Sequence, residues 1–144
     1  MDDFQGAKGA LLIGDRLLVT LRDDFDWIPY PAHWDFVGGL REPGETPRET
    51  LVREAREEVG LDLSGADWLW EGIYPSTTQT GATVWFFVLR LPAEAEHDIV
   101  FGDEGQGWRL IPPRDYLEMP KAVPSLQDRL RAWLDCLGER DDAA

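Results

Sequence analysis

One cysteine, Cys136, stands in a chain of 144 residues. An intramolecular disulfide is therefore excluded, and there is no second cysteine to complete a redox or zinc pair. A reducing compartment is the simplest expectation, and the chain is read as cytoplasmic. Basic residues are scarce: 14 Lys and Arg against 28 Asp and Glu leave a net charge of -14. That balance offers little cationic surface for holding DNA, RNA or an anionic membrane, so no nucleic acid and no membrane is expected as partner. The first residues, Met1-Asp2-Asp3-Phe4-Gln5, have no basic segment leading into an apolar stretch. Nor does any run approach the roughly 20 apolar residues of a bilayer span. Internal repeats and an interdomain linker are missing too. With 43% hydrophobic and 11% aromatic content, one core and a single domain over residues 1–144 are expected. Acidity remains compatible with an anionic small molecule, because a bound divalent cation can become the largest local charge.

Two β-compatible runs, Ala10 to Ile13 and Leu17 to Leu21, flank Gly14-Asp15-Arg16, and this arrangement predicts a hairpin. Arg22 to Ala32 lacks a period and reads as a long loop. His33 to Val37 suits a short strand ending at Gly38-Gly39. A helix follows: Thr46 is a good N-cap, Pro47 fits the first position, Glu49 completes a capping box and Gly60 marks the stop. Further strands are expected at Trp68 to Tyr74, Thr83 to Leu91 and Trp108 to Ile111, with a helical turn at Arg114 to Glu118. Apolar positions at Leu126, Leu130, Trp133, Leu134 and Leu137 mark an amphipathic closing helix over Ser125 to Leu137, before a polar, frayed tail. The layout is α/β or α+β.

The predicted helix carries Arg53-Glu54-Ala55-Arg56-Glu57-Glu58. At about 100° per residue, Glu57 and Glu58 fall within about 60° of Glu54 on either side. Leu51, Val52, Ala55 and Val59 occupy the adjacent arc and should face the core. Crowded carboxylates repel one another. Hard oxygen ligands of this kind suit Mg2+ or Mn2+, whose shells substrate phosphates and water can complete. Such ions neutralise phosphate charge and activate water for in-line attack. Gly38 and Gly39 allow backbone to approach a metal or phosphate closely. Gly44 and Glu45 can close the turn into the helix, and Arg53 can pair with Glu57 one turn on.

From Gly39 to Leu61 the sequence resembles the box of the Nudix hydrolase superfamily, the MutT-like enzymes. Every fixed position of that pattern is met: Gly39, Glu45, Arg53, Glu54, Ala55, Glu57, Glu58, Gly60 and Leu61. The match spans 23 of 144 residues. Ala55 is smaller than the usual aliphatic residue, and Val37 stands where many members have proline. The resemblance implies the Nudix fold, an α/β/α sandwich around a mixed β-sheet. It also implies divalent-metal-dependent hydrolysis of a diphosphate linkage in a nucleoside diphosphate joined to another moiety. Glu54, Glu57 and Glu58, with the Gly38 carbonyl, would bind Mg2+ or Mn2+, while Arg53 and Glu45 orient that shell. The general base varies in the family: Glu104 resembles a later acidic position, and Glu54 competes with it. Nucleoside triphosphates, damaged ones included, are the first substrate class expected, ahead of ADP-ribose, nucleotide sugars and dinucleoside polyphosphates. Markers of NADH or coenzyme A pyrophosphatases are not found. Homodimers are common in the family, so a second copy of the chain is an expected partner.

Blander readings compete. A Glu- and Arg-rich helix face is usually solvated charge, and here the full spacing outweighs that reading. Glu104 also fits a plain acidic loop. Trp27, Tyr30 and Trp34 are candidates for stacking a base, whereas Trp68, Trp70, Trp85 and Trp133 suit core packing. His33, His97 and Cys136 fit structural or inert roles. Two functional rivals share the fold: a catalytically silent nucleotide sensor, and an isoprenoid diphosphate isomerase, which would want a better placed cysteine. Substrate selectivity is expected in Arg22 to Ala32, Pro75 to Ala82 and the Glu104 loop.

Overall fold

The computed structural model describes residues 4–143, and side chains as far as Leu137. The hairpin forms as expected: β1 (Phe4–Ile13) and β2 (Arg16–Leu21) pair antiparallel, with Gly14 at φ 63° in the turn. β1 begins at Phe4, well before its apolar run. Its side chains alternate between two cores, Ala7, Leu11 and Ile13 on one face and Ala10 and Leu12 on the other. Burial on both faces makes the second half of this strand read as an unbroken apolar run.

β3 (Trp34–Asp35) pairs with β2, and β4 (Val37–Leu40) pairs with β1. The single strand expected over His33 to Val37 is thus two, broken at Phe36, and the second runs on through both glycines, which lie opposite Lys8 and Ala7. Gly38 has φ 146°, and a Cβ there would lie 2.1 Å from the Ala7 carbonyl oxygen. Only glycine allows the ladder to continue. β5 (Asp67–Pro75), β6 (Thr83–Leu91) and β7 (Gly107–Ile111) complete the sheet. Its order is β3-β2-β1-β6-β5, with β4 added on β1 and β7 on β2. β1 and β6 run parallel and the other pairs antiparallel.

α1 (Pro47–Val59) covers one face. Thr46 Oγ1 accepts from the Glu49 N–H at 3.2 Å and Glu49 Oε1 from the Thr46 N–H at 2.9 Å. Gly60 closes the helix at φ 68°. Leu51, Ala55 and Val59 are fully buried under it, and each large apolar side chain so placed contributes about 1.5–3 kcal/mol. The fit is close: a Cβ on Gly9 of β1 would meet Leu51 Cδ2 at 2.7 Å. The opposite face is covered by α3 (Pro124–Ala143), through Leu126, Leu130, Trp133 and Leu134. α3 extends past Leu137 into the segment expected to fray. The short α2 (Pro113–Tyr116) lies one residue upstream of its expected start. The architecture is the expected α/β/α sandwich around a mixed sheet. Among the described residues no helix is long and apolar enough to cross a membrane.

Candidate active site

β1 and β4 form the floor of an open cleft of about 620 Å³, with walls from α1, the start of α3 and three loops. Gly38, Glu54, Glu58 and Glu104 all line it, which brings together four of the residues singled out in the sequence. Glu57 does not line it; its side chain is 58% exposed on the outer flank of α1.

Arg53 explains how these carboxylates are held. Its Nε and Nη2 donate to the two oxygens of Glu45 at 2.7 and 3.1 Å, and Nη2 also donates to the Leu40 carbonyl at 2.9 Å. Nη1 donates to Glu54 Oε1 at 2.9 Å and to Glu57 Oε2 at 3.1 Å. All five guanidinium N–H groups are thereby used. Glu45 accepts in addition from the Glu42 N–H and the Thr50 hydroxyl. The hydrogen bonds from Arg53 hold the Glu45 carboxyl down at about 2.

Glu58 lies deeper. Its Oε2 accepts from the Gly38 N–H at 2.8 Å, and burial, with repulsion from Glu54 and Asp35, pushes its carboxyl up to about 7. Burial also raises Glu54, which Arg53 only partly offsets. Gly39 lies against the Glu54 carboxyl, where a Cβ would come within 2.7 Å of its carbon.

Glu104 sits on the loop between β6 and β7, and that loop is tied at both ends. The Val100 and Gly102 N–H groups donate to the carbonyls of Val59 and Glu58 at the end of α1. At the far side the Gly105 N–H donates to Asp23 Oδ2 at 3.0 Å, and Gln106 donates to the Leu21 and Arg22 carbonyls. Asp23 is thus a positioning residue that composition alone concealed.

Sequence patterning did not single out Lys8, Arg22 and Asp35, which meet in the cleft. Asp35 Oδ2 pairs with Lys8 Nζ at 2.9 Å and Arg22 Nη1 at 2.8 Å. Burial alone would raise the Asp35 carboxyl, but the two cations outweigh it and hold it below the ordinary carboxylate range. Their one available signal was isolated polar residues interrupting strand-like runs. Of the aromatic candidates, Tyr30 lines the cleft at φ 49°, in the left-handed region. Trp34 packs instead against the α3-side core beneath Arg109, and Trp27 stacks on Phe25 at 4.7 Å, 79% exposed. Trp68, Trp70, Trp85 and Trp133 pack as expected, and Trp108 joins them.

The donor set around the cleft is hard oxygen. Glu54 and Glu58 both stand above the ordinary carboxylate range because burial outweighs the Arg53 guanidinium beside Glu54 and the charge of Lys8, which is paired with Asp35. Such a pair fits a divalent cation. Among the described residues no three Asp, Glu, His or Cys side chains form a ready-made cage, so phosphate and water oxygens would have to complete a shell.

These carboxyls set opposite slopes of stability against pH in metal-free protein. Glu45 ionises near 2 when folded and near 4.5 otherwise; its contribution is full above about pH 4.5 and is lost as pH falls towards 2. Glu58 ionises near 7 when folded instead of 4.5. Its contribution is full below about pH 4.5 and is lost as pH rises through 7. With chelator present, the melting temperature is expected to peak near pH 4.5 and decline towards 7, and Glu58→Gln should flatten that decline. A wild-type profile climbing steadily from pH 4 to 7 would contradict this account.

The fold and site define a class: a mixed sheet between two helical layers, with a carboxylate-bearing helix and a glycine strand walling an open cleft. The NUDIX domain model matches residues 3–134, and the chain belongs to that family. It is similar to nucleoside triphosphatase NudI of Enterobacter sp. (strain 638), 34% identical over 84 residues, 54% of this chain and 60% of that protein. It is also similar to the 8-oxo-dGTP diphosphatase of Proteus vulgaris, 48% identical over 31 residues, 22% of this chain and 28% of that one. The chain therefore spans less than two thirds of the length of either. Among solved structures, a C. elegans Ap4A hydrolase binary complex shares the fold with TM-score 0.74 and 18% identity, covering 94% of this chain and 99% of that chain.

Proposed function

We propose that the protein is a divalent-metal-dependent pyrophosphohydrolase acting on nucleoside triphosphates. The observation that carries this reading is the pair Glu54 and Glu58, two carboxyls raised by burial on one wall of a cleft. The NudI and 8-oxo-dGTP diphosphatase relatives support the substrate class.

In this reading Glu54 and Glu58, with the Gly38 carbonyl, would hold Mg2+ or Mn2+, and Glu57, which stands outside the cleft, would join them by turning its side chain inward. The ion's contribution would be to neutralise phosphate charge and lower the pKa of a water. The chain's own residues do the positioning. Arg53 fixes Glu54 and Glu57 against each other through one guanidinium nitrogen. The Gly38 N–H fixes Glu58. Glu54 or Glu104 accepts the proton of the attacking water; burial raises the Glu54 carboxyl and so makes it a stronger base than an ordinary carboxylate.

A panel of nucleoside triphosphates, ADP-ribose, dinucleoside polyphosphates and nucleotide sugars tests the reading, each incubated with Mg2+, Mn2+ or chelator and resolved by chromatography. The expected result is metal-dependent release of pyrophosphate and a nucleoside monophosphate from triphosphates. Folded protein that binds nucleotides yet cleaves none would replace the hydrolase with a sensor.

A further inference from the structure

One buried cation in the cleft has no assigned work. Arg129, on α3, is only 7% exposed, yet among the described residues it makes no ion pair, and its one hydrogen bond is a long 3.5 Å from Nη2 to the Pro75 carbonyl. Its guanidinium lies over the Tyr74 ring at 4.7 Å and lines the cleft. Burial lowers its pKa, as expected for a charge that lacks a counter-ion. Such a group is costly to bury unless something completes its hydrogen bonds.

The surroundings narrow what that something is. α1 and α3 lie on opposite faces of the sheet, so Arg129 stands on a different wall from Glu54 and Glu58. Val84, Val123 and Leu126 line the same cleft, an apolar lining suited to a flat ring and poorly suited to a phosphate. Three polar residues of the cleft lining, Ser76, Thr78 and Gln5, are engaged with one another. Ser76 Oγ donates to Gln5 Oε1 and accepts from the Thr78 and Gln79 N–H groups, and Gln5 Nε2 donates to Thr78 Oγ1. Arg129 Nε and Nη1 have no partner among the described residues, and both are donors only. A donor-only group accepts a ring carbonyl and opposes an amino group.

We propose that Arg129 determines specificity by taking the keto edge of a nucleobase: O6 and N7 of a 6-oxopurine, or O4 of a 4-oxopyrimidine. The inference rests on the hydrolase reading, and deepens it by naming the half of the substrate that the carboxylates do not touch.

ITP and ATP differ in the group at position 6 of the purine, and UTP and CTP in that at position 4 of the pyrimidine, so the pairs isolate this contact. Wild-type kcat/KM is expected to favour ITP over ATP and UTP over CTP. Arg129→Met, which keeps length and removes the charge, should lower kcat/KM for the keto substrates roughly 10- to 100-fold. ATP and CTP should change less than about threefold, leaving little discrimination. Arg129→Lys should retain part of the preference, and unchanged melting temperatures would show both variants folded. Inhibition by inorganic tripolyphosphate should be the same in wild type and Arg129→Met. Equal losses on all four nucleotides, weakened tripolyphosphate inhibition, or no keto preference in the wild type would each overturn the proposal. If the wild type cleaves none of the four, the hydrolase reading fails separately. Arg129 is then tested by binding of ITP against ATP, followed by tryptophan fluorescence, where equal affinities overturn it and a keto preference lost in Arg129→Met upholds it.

Discussion

Glu58→Gln is expected to reduce kcat by roughly 100- to 10,000-fold, the range over which positioned acid, base and metal-binding groups act, while leaving the protein folded. The second half of that expectation comes from the geometry. Glutamine keeps an oxygen where Glu58 Oε2 accepts from the Gly38 N–H at 2.8 Å, so the link between α1 and β4 survives. It also removes a carboxyl whose burial makes ionisation unfavourable up to about pH 7, so metal-free stability at neutral pH should rise slightly. Loss of turnover together with a maintained or higher melting temperature separates a functional role from a structural one. The protection that Mg2+ or Mn2+ gives against thermal unfolding should shrink in the same variant. A folded Glu58→Gln protein with undiminished hydrolysis would remove Glu58 from the site. Glu57→Gln is expected to lower turnover as well. Because Glu57 shares Arg53 Nη1 with Glu54, part of its effect would come through displacement of its neighbour.

The sequence shows the helix and its chemistry because both are local. Thr46, Pro47, Glu49 and Gly60 encode the ends of α1 by short-range hydrogen bonding, and the observed caps follow them. Residues of the box lie within a few turns of one another, so their spacing alone places them on one face. Lys8, Arg22 and Asp35 meet only because β1, β2 and β3 fold side by side. Arg129 reaches the cleft through the packing of α3 against the far face. Such meetings leave no periodic trace. The same physics hid the start of β1 and the course of β4. Gln5 and Lys8 are polar where they line the cleft, while Gly6, Gly38 and Gly39 leave no room for a Cβ against neighbouring backbone or the Glu54 carboxyl, and those residue types weaken a strand signal. Where the pattern failed, the cleft lining and the close approach of two strands had displaced the apolar residues that announce a strand.

Arg53 is where the site and the fold depend on the same atoms, and its substitution should affect both. Arg53→Ala leaves the Glu45 carboxylate, 15% exposed, without the cation that holds it ionised. It also frees the Leu40 carbonyl and lets Glu54 and Glu57 separate. A largely shielded network broken on one side costs on the order of 2–4 kcal/mol, less than a fully buried pair would. For a domain of this size the melting temperature should fall by about 10 °C. Lysine separates the two roles more sharply, since its three donors cannot reproduce five bonds in a planar fork. Arg53→Lys should keep a cation near Glu45, and with it much of the stability, but cannot hold Glu45, Glu54 and Glu57 at once. A displacement of about 1 Å in a positioned group can cost roughly 100-fold in rate, so kcat is expected to fall that far with a much smaller change in KM. The acid limb of the stability profile supplies an independent check. Because Arg53 is the main reason that Glu45 ionises near 2, both variants should lose stability at higher pH on acidification, Arg53→Ala more than Arg53→Lys. Full turnover in folded Arg53→Lys would mean that the carboxylates keep their places without the fork, and that the guanidinium network serves only to join α1 to its leading loop.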